Sequence, residues 1–208
     1  MIITGIERQK KNRSRFSVFV DGAYAFSVGE EVYGKFLLHQ GQELSESDRA
    51  SIHSAEQEST VKMAALRYRS YRPRSTHEMV EYLRKKGYEE RSVLLAIAFL
   101  RENKLLNDEE FARMLCRDRM MLRPVGTVSM KHLLIKKGID RPVIDAVLAE
   151  VYDEENEMQM ALREAERKHK RIHALPDLVR KKKIYEHLIR KGYRPALSMN
   201  VANQMVNQ

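Results

Sequence analysis

The chain has 208 residues, 32% of them charged, and Lys plus Arg outnumber Asp plus Glu by 38 to 29 for a formal charge of +9. So much charge beside an ordinary apolar content points to thin modules with a large surface for their core, and argues against an enzyme built around a deep pocket. A lone Cys116 excludes an internal disulfide framework and a multi-cysteine zinc site, and no apolar run approaches the roughly 20 residues that span a bilayer, nor is there a signal-peptide apolar region, so a cytoplasmic protein is expected.

Gly and Pro are scarce, and Ala, Leu, Met, Lys, Arg and Glu dominate, so most of the chain should be helical, with strands confined to its beginning. From Ile2 to Ile6 and from Arg15 to Val20 side chains alternate or run β-branched and aromatic, and Asp21-Gly22 stands just before Tyr24, Phe26 and Val28. Asp-Gly between such runs is a hairpin signal, because both turn positions tolerate positive φ. Residues 1–28 are therefore predicted to form a small antiparallel sheet. A short helix follows over Glu30–Leu38, Gly41 ends it or the turn after it, and Ser45 is placed to cap a second helix reaching about Glu58.

Beyond this extension one pattern occurs three times: Leu83-Arg-Lys-Lys-Gly87-Tyr88, Leu134-Ile-Lys-Lys-Gly138-Ile139 and Leu188-Ile-Arg-Lys-Gly192-Tyr193, with the glycines 51 and 54 residues apart. A fixed period signals repeats. If each Gly is the left-handed residue just past a helix, the Leu before it and the apolar residue after it are the pair that touches in a Schellman motif. The two cations before each Gly complement the negative end of the helix dipole, so the motif has a structural explanation without any ligand.

The same order of helices surrounds each motif. In the first unit a helix runs over Val61–Tyr71, Pro73 ends it, Ser75-Thr-His-Glu78 is a capping box for the second, and a third runs from about Glu90 to Asn103. In the second, Asn107–Glu110 offers a cap, Pro124-Val-Gly126 separates two helices, and Asp140 with Pro142 opens the third. An acidic link at 150–157 leads to helices near Glu157–Arg171, Pro176–Lys191 and Pro195 to about Val206. Units near 50 residues must lean on their neighbours. The fold expected is mainly α: an N-terminal sheet with short helices at 1–58, then three tandem three-helix repeats at 59–105, 106–152 and 153–208 forming an elongated curved body.

Charge is segregated along this body. Residues 62–91 hold nine cations against four anions, 113–137 seven against one, and 163–194 twelve against four, while acids gather at 43–58 and 150–157. A basic patch on each repeat suits a polyanionic partner bound through backbone phosphates. The candidates are Arg72, Arg74, Arg84, Lys85, Lys86, Arg119, Arg123, Lys136, Lys137, Arg190 and Lys191; for any one of them the alternative is a solvated helix face. Tyr68-Arg-Ser-Tyr71-Arg interleaves aromatics with cations as single-strand binders do, although such tyrosines also serve as core.

Helix, Gly-containing turn and helix also describe a stand-alone helix-turn-helix DNA reader. Against it, Val93–Leu100 is apolar on nearly every side and should be buried. Motifs of enzymes are missing: there is no phosphate-binding Gly-rich loop, nucleophile elbow or HExxH. His169 and His173 lie one turn apart without a third metal ligand nearby, and the carboxylates of Asp108, Glu109 and Glu110 fit the start of a helix as cap and dipole partners. No catalytic residue, metal or cofactor is expected.

Arg72-Pro-Arg-Ser75 with the first glycine motif, Leu106-Asn-Asp108-Glu-Glu-Phe111-Ala112-Arg113, Arg123-Pro-Val-Gly126 with the second, and finally the third, taken in this order and spacing, resemble the bacterial RecX family over about 60–200. The resemblance implies a regulator of the RecA recombinase that binds along the RecA filament on single-stranded DNA and restrains its ATP hydrolysis and strand exchange, with consequences for recombination, repair and the SOS response. It implies a monomer whose partners are the recombinase filament and single-stranded DNA, or duplex DNA without sequence preference, and no membrane. Val128, Ser129 and Met130 depart from the family's pattern, since members often carry cations there, and the extension at 1–56 is one that shorter members lack.

Overall fold

Alternating side chains in the first residues make three strands, β1 (Ile3–Arg8), β2 (Arg15–Val20) and β3 (Ala23–Gly29), in a computed structural model that describes residues 1–206. The strands form one antiparallel sheet in the order β1-β2-β3. Between β2 and β3 both turn residues adopt positive φ, 50° at Asp21 and 87° at Gly22, the conformation their identities predicted. Ile3, Val18 and Val28 of the sheet pack with Val32, Leu38, Leu44, Ile52 and Ala55 in one core.

Helix α1 (Glu30–Lys35) is shorter than expected, because Leu37 takes a left-handed φ of 46° and turns the chain away. A larger departure follows. The expected break between a helix ending near Glu58 and another starting at Val61 is absent, and α2 (Glu46–Ser70) runs unbroken for 25 residues from a capping box between Ser45 and Asp48. Neither Gly nor Pro interrupts Glu58-Ser59-Thr60, and Ser59 gives its hydroxyl to Glu31 at 2.7 Å instead of competing for the backbone. Buried Ile52 and Ala55 serve the sheet's core, while Val61 and Ala65, also buried, lie in the part of α2 assigned to the first repeat.

That repeat continues with α3 (Thr76–Lys85) and α4 (Glu90–Glu102), which packs on α2. The capping box at α3 forms as predicted, with the Glu78 amide donating to the Ser75 hydroxyl at 3.2 Å and the Ser75 amide to the Glu78 carboxylate at 3.4 Å. The expectation that Val93–Leu100 is buried all round does not hold. Val93, Ala96, Ile97 and Leu100 are buried, but Leu94 and Leu95 are 58% and 39% exposed, the pattern of a helix packed on one side only.

The remaining helices are α5 (Asp108–Leu122), α6 (Thr127–Lys136), α7 (Arg141–Val151), α8 (Glu154–Lys170), α9 (Asp177–Lys191) and α10 (Pro195–Gln204), so the described residues hold ten helices and one small sheet. The last two positions of the third predicted repeat lie outside the described residues. Asn107 and Asp153 cap α5 and α8 through their side chains. Asp140 stands at the cap position of α7 but its side chain accepts no bond there, since Pro142 removes one of the two amides such a cap would bind.

Contacts divide the chain into two units, Met1–Pro73 with Met79–Leu105, and Arg74–Glu78 with Leu106–Gln208. One continuous core runs through the second, including Phe111, Met130, Leu134, Ile144, Ile184, Leu188, Tyr193 and Val201. Cys116 is buried in it, and burial pushes its thiol up to about 11. All three repeated glycines are left-handed, with φ of 81° at Gly87, 72° at Gly138 and 82° at Gly192. Each closes a Schellman motif: the amides of Tyr88, Ile139 and Tyr193 reach the carbonyls of Leu83, Leu134 and Leu188 at 3.4, 3.1 and 3.1 Å.

Candidate nucleic-acid interface

The left-handed turns that end α6 and α9 are seats for the beginnings of other helices. At the first seat the Ser75 hydroxyl donates to the carbonyl of Lys137 at 2.6 Å, and a Cβ on Gly138 would collide with the His77 side chain. At the second, the amides of Gly126 and Val128 donate to the carbonyls of Lys191 and Gly192, each at 3.0 Å. Gly126 and Gly192 approach so closely that a Cβ on the former would strike the Gly192 carbonyl and the Tyr193 backbone, and one on the latter would strike Ser129. Only glycine permits these two approaches.

A carboxylate completes each joint. The Thr76 amide donates to Asp108 at 2.7 Å, and the Thr127 amide and hydroxyl donate to Glu157 at 2.9 and 2.8 Å. Asp108 and Glu157 stand at matching places on α5 and α8, four residues before the buried Ala112 and Ala161. Glu157 is itself wholly buried and accepts two bonds from Arg194, at 3.0 and 3.2 Å.

These joints decide what the predicted cations can do. Arg74 and Lys136 each lie one residue from the bond that makes the first joint, and Arg190 one and Arg123 three residues from a bond of the second. Lys136, Arg123 and Arg190 are exposed and their charge faces solvent. Lys137 and Lys191 are committed elsewhere: Lys137 pairs with Glu78 at 2.5 Å, and Lys191 with the buried Glu164 at 3.2 Å. In the first unit Arg84 makes a two-pronged pair with Glu90, at 2.6 and 2.9 Å, and Arg72 bonds the Pro73 carbonyl at 2.8 Å. Lys85 and Lys86 are exposed, the latter with its ammonium 5.8 Å from the centre of the Tyr82 ring. Arg119 is half-buried on α5.

Tyr68 stacks on Tyr82 with centroids 3.8 Å apart and an interplanar angle of 5°, whereas Tyr71 is 77% exposed. The other sites weighed in the sequence have ordinary uses. Asp108 receives Thr76, Glu109 pairs with Arg113, His169 meets Arg180 at 3.3 Å, and His173 contacts the Lys170 carbonyl at 3.1 Å. Among the described residues no group of three or more His, Cys, Asp and Glu is gathered to hold a metal, and no helix is long and apolar enough to cross a membrane. Ser129, where the family pattern has cations, lies against Gly192 instead. Sequence reasoning missed Glu164 and Arg194, the pairing of Glu78 with Lys137, and the hold of Glu157 on Thr127. The one available signal was positional, since Glu157 repeats the place of Asp108 before a small buried residue.

Four family profiles match in succession: the N-terminal domain of regulatory protein RecX at residues 1–45, and the first, second and third three-helix domains of RecX at 62–100, 107–148 and 154–201. The chain belongs to the RecX family. A regulatory protein RecX from Listeria welshimeri is 30% identical over all of this chain and 77% of its own length, and one from Clostridium beijerinckii is 31% identical over 98% and 95%. A crystal structure of regulatory protein RecX superposes with a TM-score of 0.82 at 28% identity, covering 97% of this chain and 98% of that one. RecX from Lactobacillus salivarius gives 0.70 at 25% identity, covering 74% and 99%. RecX relatives are thus matched from the sheet through the third repeat, and their name marks the chain as a regulatory protein.

Proposed function

We propose that this chain is a non-catalytic regulator of the RecA recombinase, which docks as a monomer along the RecA filament on single-stranded DNA and lowers its ATP turnover and strand exchange. Recombination, repair and the SOS response are then restrained in the cytoplasm. The observation that carries the reading is the exposure of Lys136 beside one joint and of Arg123 and Arg190 near another of the same design, within a chain of the RecX family. Exposed cations on a helical scaffold suit backbone phosphates, which they bind without reading bases. Lys137, Lys191 and Arg84 contribute to the scaffold through their carboxylate partners, while Lys85, Lys86, Lys136, Arg123 and Arg190 supply the open charge.

Titration of the chain into a DNA-dependent recombinase ATPase assay, beside co-sedimentation with the filament, tests this directly. Turnover is expected to fall as the chain approaches stoichiometric amounts, with the chain in the pellet. Unaltered turnover together with a chain left in the supernatant would refute it.

A further inference from the structure

The two filled joints share a plan that the first unit builds only halfway. In each, a helix opens with a small residue, Ser75 or Gly126, seated on the carbonyl just before a left-handed glycine. The amide of the following Thr is taken by Asp108 or Glu157. The corresponding positions in the first unit are Lys86, Gly87 and, four residues before the buried Val61, Gln57.

There the seat is formed and empty. Gly87 has the same left-handed backbone, with φ of 81°, yet nothing lies within 4 Å of a Cβ built on it. The carbonyls of Lys86 and Gly87 accept no hydrogen bond from the described residues, whereas those of Lys137, Lys191 and Gly192 all do. Arg15, Glu56, Gln57, Gly87, Tyr88 and Glu89 are among the residues that line a cavity of about 300 Å³ at this place, and Arg15 is paired with Glu56 at 2.8 Å. The turn offers the same acceptors that the two filled joints use.

Its chemistry selects the occupant. With Arg15 neutralised by Glu56, free carbonyls beside Glu89 disfavour phosphate, but they match the unsatisfied amides and partial positive charge at the start of a helix. Nor does a second copy of the chain supply one: the starts of α3 and α6 are already seated, Ser45 at the start of α2 gives its hydroxyl to Asp48 at 2.6 Å, and α9 opens on Pro176-Asp177-Leu178, with Leu178 80% exposed and no small residue. We propose that the Gly87 turn receives the first turn of an α-helix on a partner protein, one that opens with Ser or Gly followed by a residue with a free amide. Gln57 takes that amide as Asp108 and Glu157 do in the filled joints.

The probe is a lactam-bridged peptide copying residues 122–137, its helicity first established by circular dichroism, titrated into the ¹⁵N-labelled full chain. The amide signals of Gly87 and Tyr88 are expected to shift and saturate. The same peptide carrying Gly126→Leu should leave them in place. A chain carrying Gln57→Glu should bind the peptide several-fold more tightly, since a carboxylate accepts more strongly than an amide. No shift at millimolar peptide, shifts centred away from Gly87, or an equal response to the Gly126→Leu peptide would each overturn the assignment. None of these results depends on whether the recombinase is the chain's partner.

Discussion

Replacing Glu157 by Ala should destabilise the second unit more than any exposed charge in it. The wild-type carboxylate is 0% exposed and takes the Thr127 amide at 2.9 Å, the Thr127 hydroxyl at 2.8 Å and Arg194 at 3.0 Å. Leaving the amide at the start of α6 without a partner costs about 2 kcal/mol. Arg194 is 48% exposed and rehydrates, so its loss adds under about 1 kcal/mol. The vacated space and the stranded hydroxyl bring the sum to about 3–4 kcal/mol, in line with removing one partner of a buried pair. For a unit of this size that lowers the melting temperature by about 15 °C in calorimetry of the full chain. Glu157→Gln keeps an acceptor for Thr127 and should lose only about a third as much, on the order of 1 kcal/mol. A Glu157→Ala transition within about 3 °C of wild type, or a Gln variant as unstable as the Ala variant, would refute the view that this carboxylate caps α6.

Gly126→Ala should unfold or severely weaken the second unit, since its Cβ meets backbone on the far side of the joint, whereas Gly87→Ala should cost only the left-handed strain of about 1–2 kcal/mol; urea denaturation of the two variants checks the difference. Lys136→Glu with Arg190→Glu should weaken binding to single-stranded DNA or the filament and flatten its salt dependence at unchanged helicity. Lys137→Glu should instead lower thermal stability, because it faces Glu78, and parallel binding and melting curves separate the two effects. His187 is held below its ordinary value of 6.5, first by burial, against opposing pulls from Glu164 and with help from Lys191 and Lys168. The unfolded chain therefore binds the extra proton more readily, so stability should fall as pH drops below about 6.5, and His187→Gln should flatten that slope in urea titrations at pH 5 and 7.

Much of the fold was legible because its signals are local. Asp21-Gly22 and the three glycines need positive φ, and the Leu before each glycine and the apolar residue after it are fixed by one turn of helix. The expected helix break between Glu58 and Val61 fails because no residue there stops a helix, and α2 runs through it. The candidate site was legible only in outline. Cation runs mark the patches, but the partner of Lys137 lies 59 residues away and that of Lys191 lies 27 away, distances over which pattern carries no information. Lys136 and Lys137 read alike in the sequence and have opposite uses. Leu94 and Leu95 were misjudged for a related reason, since composition does not say how many sides of a helix are covered.

The unbroken α2 has a mechanical consequence. At about 1.5 Å per residue its 25 residues form a rod of about 37 Å, with one end keyed into the sheet by Ile52 and Ala55 and the other carrying the buried Val61 and Ala65. No hinge stands between sheet and first repeat, so a torque applied to one end is felt at the other. Whatever grips the strands would thereby steer the aromatic stack of Tyr68 and Tyr82, and a protease would find no slack in which to part them.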